Sequence, residues 1–305
     1  PPDLTNPGNF NADALTLPTP TPSPTATPTG SPTPTPTPGA NQLTSDANLE
    51  IWMYQIPVYP AADLSSGDEL PITDLSGGPF IAVTNTNPSR LPIGATSLVS
   101  AFVADDNHDA SINDDGTVIA FGSTRDLVPC VGNSFPQNDN DEIFTYVRGG
   151  AAECPLESGV RQAIGLRQVT RTIRGPISNP IYSRGASISG SGARVAFAST
   201  GENPIDNPSA ADNFVTGVNP ESSRNEEIFY ANLLDGRPSG PPGGKQITTT
   251  TPAAVGDPVN VLDLGRRMSR DGRYIAFDSY ADFPATVDPI NQTGTSTFAL
   301  YLYDI

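Results

Sequence analysis

A chain of 305 residues that is 36% hydrophobic and 7% aromatic holds enough apolar material to bury a core in one or two domains. Its 33 aspartates and glutamates against 16 lysines and arginines give a net charge of −17, which argues against nucleic acid and anionic membrane surfaces as partners and leaves calcium or basic partners open. The 33 prolines and 28 glycines favour short strands and loops over long helices, and no run of 18 apolar residues is present that would insert in a membrane.

Near the front stands TLPTPTPSPTATPTGSPTPTPTPG, Thr16 to Gly39. Proline at alternating positions holds a backbone in solvated polyproline II with its hydroxyl side chains projecting. Serine and threonine tracts with proline are the usual acceptors of O-glycosylation. Covalent glycans are therefore expected on several of Thr19, Thr21, Ser23, Thr25, Thr27, Thr29, Ser31, Thr33, Thr35 and Thr37, with a bare spacer as the alternative. At roughly 3.1 Å per residue such an arm spans about 65 Å, enough to contact a neighbouring molecule or sheathe an assembly.

Asn48 to Ile56 (NLEIWMYQI) and Glu69 to Gly77 (ELPITDLSG) read as two strands. The alternating Trp52, Tyr54 and Ile56 are expected to pack in a core, in preference to a ligand platform built on Trp52, Met53 and Tyr54. Three segments then repeat: ASINDDGTVIAFGST (Ala110 to Thr124), ASISGSGARVAFAST (Ala186 to Thr200) and RRMSRDGRYIAFDSY (Arg266 to Tyr280). Each is a short strand, a turn ending in Gly116, Gly192 or Gly272, and a strand apolar enough to be buried on both faces. A further strand follows each hairpin: DEIFTYV (Asp141 to Val147), NEEIFYANL (Asn225 to Leu233) and TFALYLYDI (Thr297 to Ile305). The first two are followed by a fourth, LRQVTRT (Leu166 to Thr172) and KQITTTT (Lys245 to Thr251). Four turn-separated strands per unit, with no helical period, predict an all-β chain of propeller blades.

The pattern S-x-D-G-x-x-I-A-F-x-S followed by E-I-F-x-Y resembles the WD40-like repeat of bacterial, exported TolB-type β-propellers. Ser269, Asp271, Gly272, Ile275, Ala276, Phe277 and Ser279 match it, as do Asp115, Gly116, Ile119, Ala120, Phe121 and Ser123. The second copy departs with Ser191 in place of the aspartate, which weakens that turn's side-chain hydrogen bond but keeps its glycine. The resemblance covers Asn48 to Ile305 and implies blades over 48–305, with a half-blade at 48–77 and repeats beginning near 110, 186 and 266. PPDLTNPGNFNAD reads like the loop after a blade's second strand, so residues 1–47 are expected to be an inter-strand loop carrying the Thr/Pro insertion at 16–39. An inventory of two complete blades, one lacking its last strand and a half-blade is read as an interior excerpt of a longer chain. Completion by strands from another copy is the alternative.

Cys130 and Cys154 sit in loop sequence on either side of DEIFTYV. A bridge between them would close a loop of about 25 residues, stabilise by about 3 kcal/mol and point to an oxidising compartment, against the alternative of two free thiols. The one histidine, His108 in ADDNHDASIND, reads as a solvated loop residue, since no second histidine or free cysteine completes a zinc set. Asp105, Asp106 and Asp109, and Asp139, Asp141 and Glu142, form acidic clusters that would at most bind calcium weakly, and neither has EF-hand spacing. Asn291, Gln292 and Thr293 form a sequon, and Arg266 with Arg267 could face a channel or anchor a carboxylate. No nucleophile elbow, zinc-protease helix, Walker loop or dinucleotide fingerprint is present, so no catalytic, metal or cofactor residue is assigned. These readings predict a non-enzymatic structural propeller, extracellular or at the cell surface, self-associating into a homopolymer. The alternatives are an exported or periplasmic scaffold for a protein or glycan, and the propeller domain of a secreted enzyme.

Overall fold

The computed structural model describes residues 49–56, 78–84, 86, 107–133, 140–151, 153, 165–176, 178–205, 219, 222, 224–234, 236–238, 244–252, 258–263, 265–281, 284 and 298–305. The chain divides into two units, Pro1–Ser89 and Arg90–Ile305. Regular structure among the described residues is all β.

In the first unit β1 (Trp52–Tyr54) pairs antiparallel with β2 (Phe80–Ala82), Trp52 opposite Ala82 and Tyr54 opposite Phe80. The strand expected at Glu69 to Gly77 lies outside the described residues. Burial reverses the expected face. Ile51 and Met53 are buried, Trp52 and Tyr54 are half-buried, and Ile56 is 65% exposed.

Among the described residues the second unit forms three antiparallel sheets built as sequential meanders. The first is β3 (Asn107–Ile112), β4 (Val118–Ser123), β5 (Glu142–Val147) and β6 (Leu166–Gln168). The second is β7 (Ser183–Ile188), β8 (Arg194–Ser199), β9 (Glu227–Leu234), the two-residue β10 (Arg237–Pro238) against the end of β9, and β11 (Gly244–Gln246). The third is β12 (Asn260–Val261), β13 (Tyr274–Ser279) and β14 (Ala299–Asp304).

The hairpin turns form where their side chains supply acceptors. Gly116, Gly192 and Gly272 have φ of 69°, 73° and 73°, and each donates its N–H three residues back, to the carbonyls of Asn113, Ser189 and Ser269. Asp115 and Asp271 accept the N–H of Thr117 and Arg273, each at 3.0 Å, while Ser191 accepts that of Ala193 at 3.4 Å. The missing aspartate therefore loosens the second turn without opening it. The turns also lock to one another. The Asp114 N–H donates to the Gly190 carbonyl (3.0 Å) and the Ser191 N–H to that of Arg270 (2.8 Å). Arg266 and Arg270 both pair with the Asp114 carboxylate, and a Cβ on Gly190 would lie 2.5 Å from that carboxylate and 2.7 Å from the Arg270 side chain.

Alternation along each strand decides the stacking, because successive side chains point to opposite faces. Ala120, Ile143 and Val169 of the first sheet meet Val195, Phe197, Phe229 and Ala231 of the second. The opposite face of the second sheet, Ala196, Ala198, Ile228 and Ile247, meets Met268, Ile275, Phe277 and Tyr301 of the third. The apolar runs in β8 and β9 are continuous because both faces are buried, each such side chain contributing about 1.5–3 kcal/mol. Cross-strand rings stack once per sheet: Phe121 on Phe144 (6.0 Å), Phe197 on Phe229 (5.8 Å) and Phe277 on Tyr301 (5.8 Å).

A buried glutamate ties third strand to fourth. In the first sheet the Thr170 hydroxyl accepts the Ile143 N–H (2.7 Å) and donates to Glu142, whose other oxygen takes the Thr172 N–H and hydroxyl and the Asn140 amide. In the second, Thr248 accepts the Ile228 N–H (2.8 Å) and donates to Glu227, and the Thr250 N–H (2.6 Å) and hydroxyl (3.0 Å) fill its other oxygen. The β1–β2 pair repeats this with Thr84, Thr86 and Glu50. This requirement explains why β1 pairs where it does: VTNT at 83–86 carries two threonines two residues apart, and ITDL at 72–75 carries one. In β14 the matching position is Ala299, opposite Ser279 as Glu142 is opposite Ser123. Burial pushes Glu142 and Glu227 up to about 7, against the pull of their hydrogen-bond donors.

Thr248→Val keeps the side-chain shape but strands the Ile228 N–H and leaves the Asn260 amide (3.0 Å) to hold that Glu227 oxygen. It should cost about 1–3 kcal/mol, read as a lower urea midpoint at unchanged m-value.

Candidate functional site

Among the described residues, ionisable side chains converge where the first strands of the first and second sheets are bulged. The irregularity falls between His108 and Ser111 in β3 and between Arg184 and Ser187 in β7. Its pivot is left-handed in both, Asp109 at φ 55° and Gly185 at φ 69°, and Asp109 is the one non-glycine with positive φ among the described residues. An aspartate tolerates this conformation when its side chain is held locally.

His108 holds it. The imidazole Nδ1 is 2.9 Å from Asp109 Oδ2, and Nε2 is 3.0 and 2.9 Å from the two oxygens of Asp141, the residue preceding β5. Gly122, opposite His108 in β4, leaves room for the ring, since a Cβ there would come within 2.7 Å of it. Burial by itself would lower the His108 pKa, but hydrogen bonds and charge from Asp109 and Asp141 override it and hold the group up at about 10. The hydrogen bond from His108 in turn lowers Asp109. The side chain, 21% exposed, is therefore not the solvated loop histidine expected from sequence. With both ring nitrogens donating, it has no lone pair at neutral pH to act as a base or to ligate a metal.

The second sheet repeats the pair with other residues. Arg184 occupies the register of His108, and its Nε pairs with Glu226, which precedes β9 as Asp141 precedes β5. The Arg184 guanidinium lies 5.0 Å over the Tyr182 ring. Burial and the Glu226 charge both raise the Tyr182 pKa, so the phenol stays protonated. A cavity of about 390 Å³ opens beside this pair, walled by Asn179, Tyr182, Arg184, Thr200, Arg224 and Glu226 among others. Arg224 Nη1 donates to the Asn179 carbonyl at 3.1 Å. Two guanidiniums, one carboxylate and a phenol wall suit a polar ligand with hydroxyl or carboxylate groups. In the third sheet the matching register position is Val261, and no such pair forms.

Of the acidic residues offered as calcium ligands, three are placed with other partners. Asp109 and Asp141 serve His108, Glu142 serves Thr170 and Thr172, and Asp105, Asp106 and Asp139 lie outside the described residues. Among the described residues no group of three or more His, Cys, Asp or Glu is arranged to hold a metal. Arg266 anchors Asp114 and Arg267 anchors Asp263 at 2.9 Å, so both arginines bind carboxylates. Cys130 lies in the turn after β4, and no free cysteine is found among the described residues. Cys154, the acceptors from Thr19 to Thr37 and the sequon at Asn291 lie outside the described residues. Sequence reasoning passed over Glu50 and Glu227 and read Glu142 only as part of an acidic cluster, where the structure has it clamping Thr170 and Thr172. Their signal was available: a glutamate before each I-W or I-F pair and a T-x-T downstream of it.

His108 is the chain's one histidine, so its ring proton is a single NMR signal. It should show no titration between pH 5 and 8. Because the folded pKa lies above the ordinary 6.5, the contribution to stability is complete below 6.5 and lost as pH rises through about 10. The difference in Tm between wild type and His108→Gln should shrink over that window. Compared with known protein families and with curated proteins, the chain matches none.

Proposed function

We propose that the chain is a non-enzymatic, exported β-propeller of TolB-like, WD40-like blades that serves as a structural subunit of an extracellular fibre or surface assembly, O-glycosylated on its Thr/Pro tract. The observation that carries this reading is the stacking rule. Three successive antiparallel meanders stack face to face, each of the two interfaces formed by the same strand register, Ala120 and Ile143 on Phe197 and Phe229, then Ala196, Ala198, Ile228 and Tyr230 on Ile275 and Phe277, as blades do around an axis. On this reading β3, β7 and β12 are innermost strands, and the turn junction of Asp114, Gly190 and Arg270 lies near the axis. The imidazolium state of His108 favours a structural role over catalysis. Export is supported by the tract's composition and by a bridge between Cys130 and Cys154, which belongs to the same proposal.

A second reading, a scaffold that binds a protein or glycan partner, is favoured by the cavity at Tyr182, Arg184 and Glu226.

Negative-stain microscopy of the purified chain separates the two: polymers support the fibre, and a discrete monomer supports the scaffold. Deleting residues 16–39 should shorten or abolish the polymers, and unchanged filaments would remove the arm from the mechanism. Peptide mass spectra should show glycan mass increments across Thr16 to Gly39, and the unmodified mass there would decide for a bare spacer. Thiol titration of the unfolded, unreduced chain should find no reactive sulfhydryl.

A further inference from the structure

The cavity beside β7 and the start of β9 has one charge on its wall that the fold leaves unmatched. Arg184, Arg224 and Glu226 all wall it, two guanidiniums against one carboxylate. Glu226 is taken by the Arg184 Nε, which pairs with it, and by the Tyr182 hydroxyl. Arg224, partly buried, has no such partner. Among the described residues no carboxylate pairs with it, its Nη1 donates to the Asn179 carbonyl at 3.1 Å, and its Nε is buried without an acceptor. A guanidinium carries five N–H donors and stays charged, so holding one partly out of water on a single acceptor is costly until a counter-charge arrives. Asp139 stands at the matching step before β5 in the sequence, so the chemistry shared by the two meanders does not require a cation here.

The rest of the wall narrows the ligand. Asn225, 2% exposed, spends its amide N–H groups on the Glu226 carbonyl (3.3 Å) and the Thr250 hydroxyl (2.9 Å) and leaves its Oδ1 without a donor. Pro180 and Pro258 add apolar surface. An unmatched cation, an unmatched acceptor and apolar ring faces around about 390 Å³ suit a molecule that carries a carboxylate, hydroxyl donors and C–H faces together. A bare inorganic anion would answer Arg224 but supply no donor and no apolar face. We propose that the cavity binds a sugar acid of a glycan partner, its carboxylate supplying the counter-charge of Arg224 and its ring hydroxyls meeting the polar wall. The proposal rests on the scaffold reading and names the ligand class of that same site.

Saturation-transfer NMR titrations of the full chain with glucuronate, glucose and acetate test this. Glucuronate should bind about 10-fold or more tightly than either of the others. Arg224→Gln should erase its advantage over glucose. Ser178→Trp sets an indole at the exposed rim of the cavity and should abolish binding of both sugars. Arg273→Gln, at an exposed arginine that pairs with Asp304 away from the wall, should leave every affinity unchanged. Equal binding of glucuronate and glucose, or a preference that survives Arg224→Gln, would overturn the proposal and leave the scaffold reading in place. Acetate bound as tightly as glucuronate would overturn the sugar class. A chain that binds none of the three yet is retained on neutral glycans overturns the ligand class alone, whereas one that binds no glycan and polymerises overturns the scaffold reading with it. If Arg224→Gln fails to fold, the wild-type comparison and Ser178→Trp decide.

Discussion

A carboxylate taken out of water costs several kcal/mol unless donors replace its hydration, and this chain buries one at the start of the third strand in both four-stranded meanders. Glu142 and Glu227 are tolerable there because two threonines, spaced by one residue on the next strand, turn their hydroxyls and one backbone N–H onto each carboxylate. The first threonine also accepts the N–H of the isoleucine after the glutamate. A slip of one residue would break every one of these bonds at once, so the clamp sets the register of fourth strand on third. Register, in turn, determines which side chains face which neighbour.

From that register the stacking follows. With Glu227 fixed, Ile228 and Tyr230 face one neighbour and Phe229 and Ala231 the other, and β8 alternates in step through Val195, Ala196, Phe197 and Ala198. Buried serines finish the same strand ends: Ser123, Ser199 and Ser279 each accept an N–H two residues on, from Arg125, Gly201 and Ala281. The sheets are held from below by the hairpin turns, where Asp114 joins the first sheet to Arg266 and Arg270 of the third across Gly190. A side chain at position 190 would displace that ion pair, which is why this turn spends a residue with no Cβ.

The ion pairs at the strand bulges are a second, weaker layer built on the same frame. His108 with Asp141 and Arg184 with Glu226 occupy matching positions, yet their surroundings differ. A second carboxylate, Asp109, turns the histidine into a closed three-member cluster, whereas Arg184 lies over Tyr182 beside an open cavity. One scaffold position thus serves a locked contact in one sheet and an accessible polar wall in the next.

Local chemistry was legible in the sequence alone. The Asp-Gly and Ser-Gly turns and the threefold hairpin repeat are set by interactions spanning two to five residues, so composition and periodicity suffice to place them, whereas the expected burial on both faces holds for the IAF and VAF strands of β4 and β8 and on one face only for that of β13. The even spacing of proline and threonine likewise marks a segment whose backbone preference is intrinsic. Tertiary structure alone decided which strand β1 takes as partner, because Glu50 selects Thr84 and Thr86 some 34 and 36 residues away. It also decided the state of His108, whose partner Asp141 is 33 residues distant. Such partners meet only after strands pair in register, and no local pattern encodes the loop lengths between them. For the same reason the sequence marked β14 as a strand, while only the packed sheets revealed that its leucines face outward.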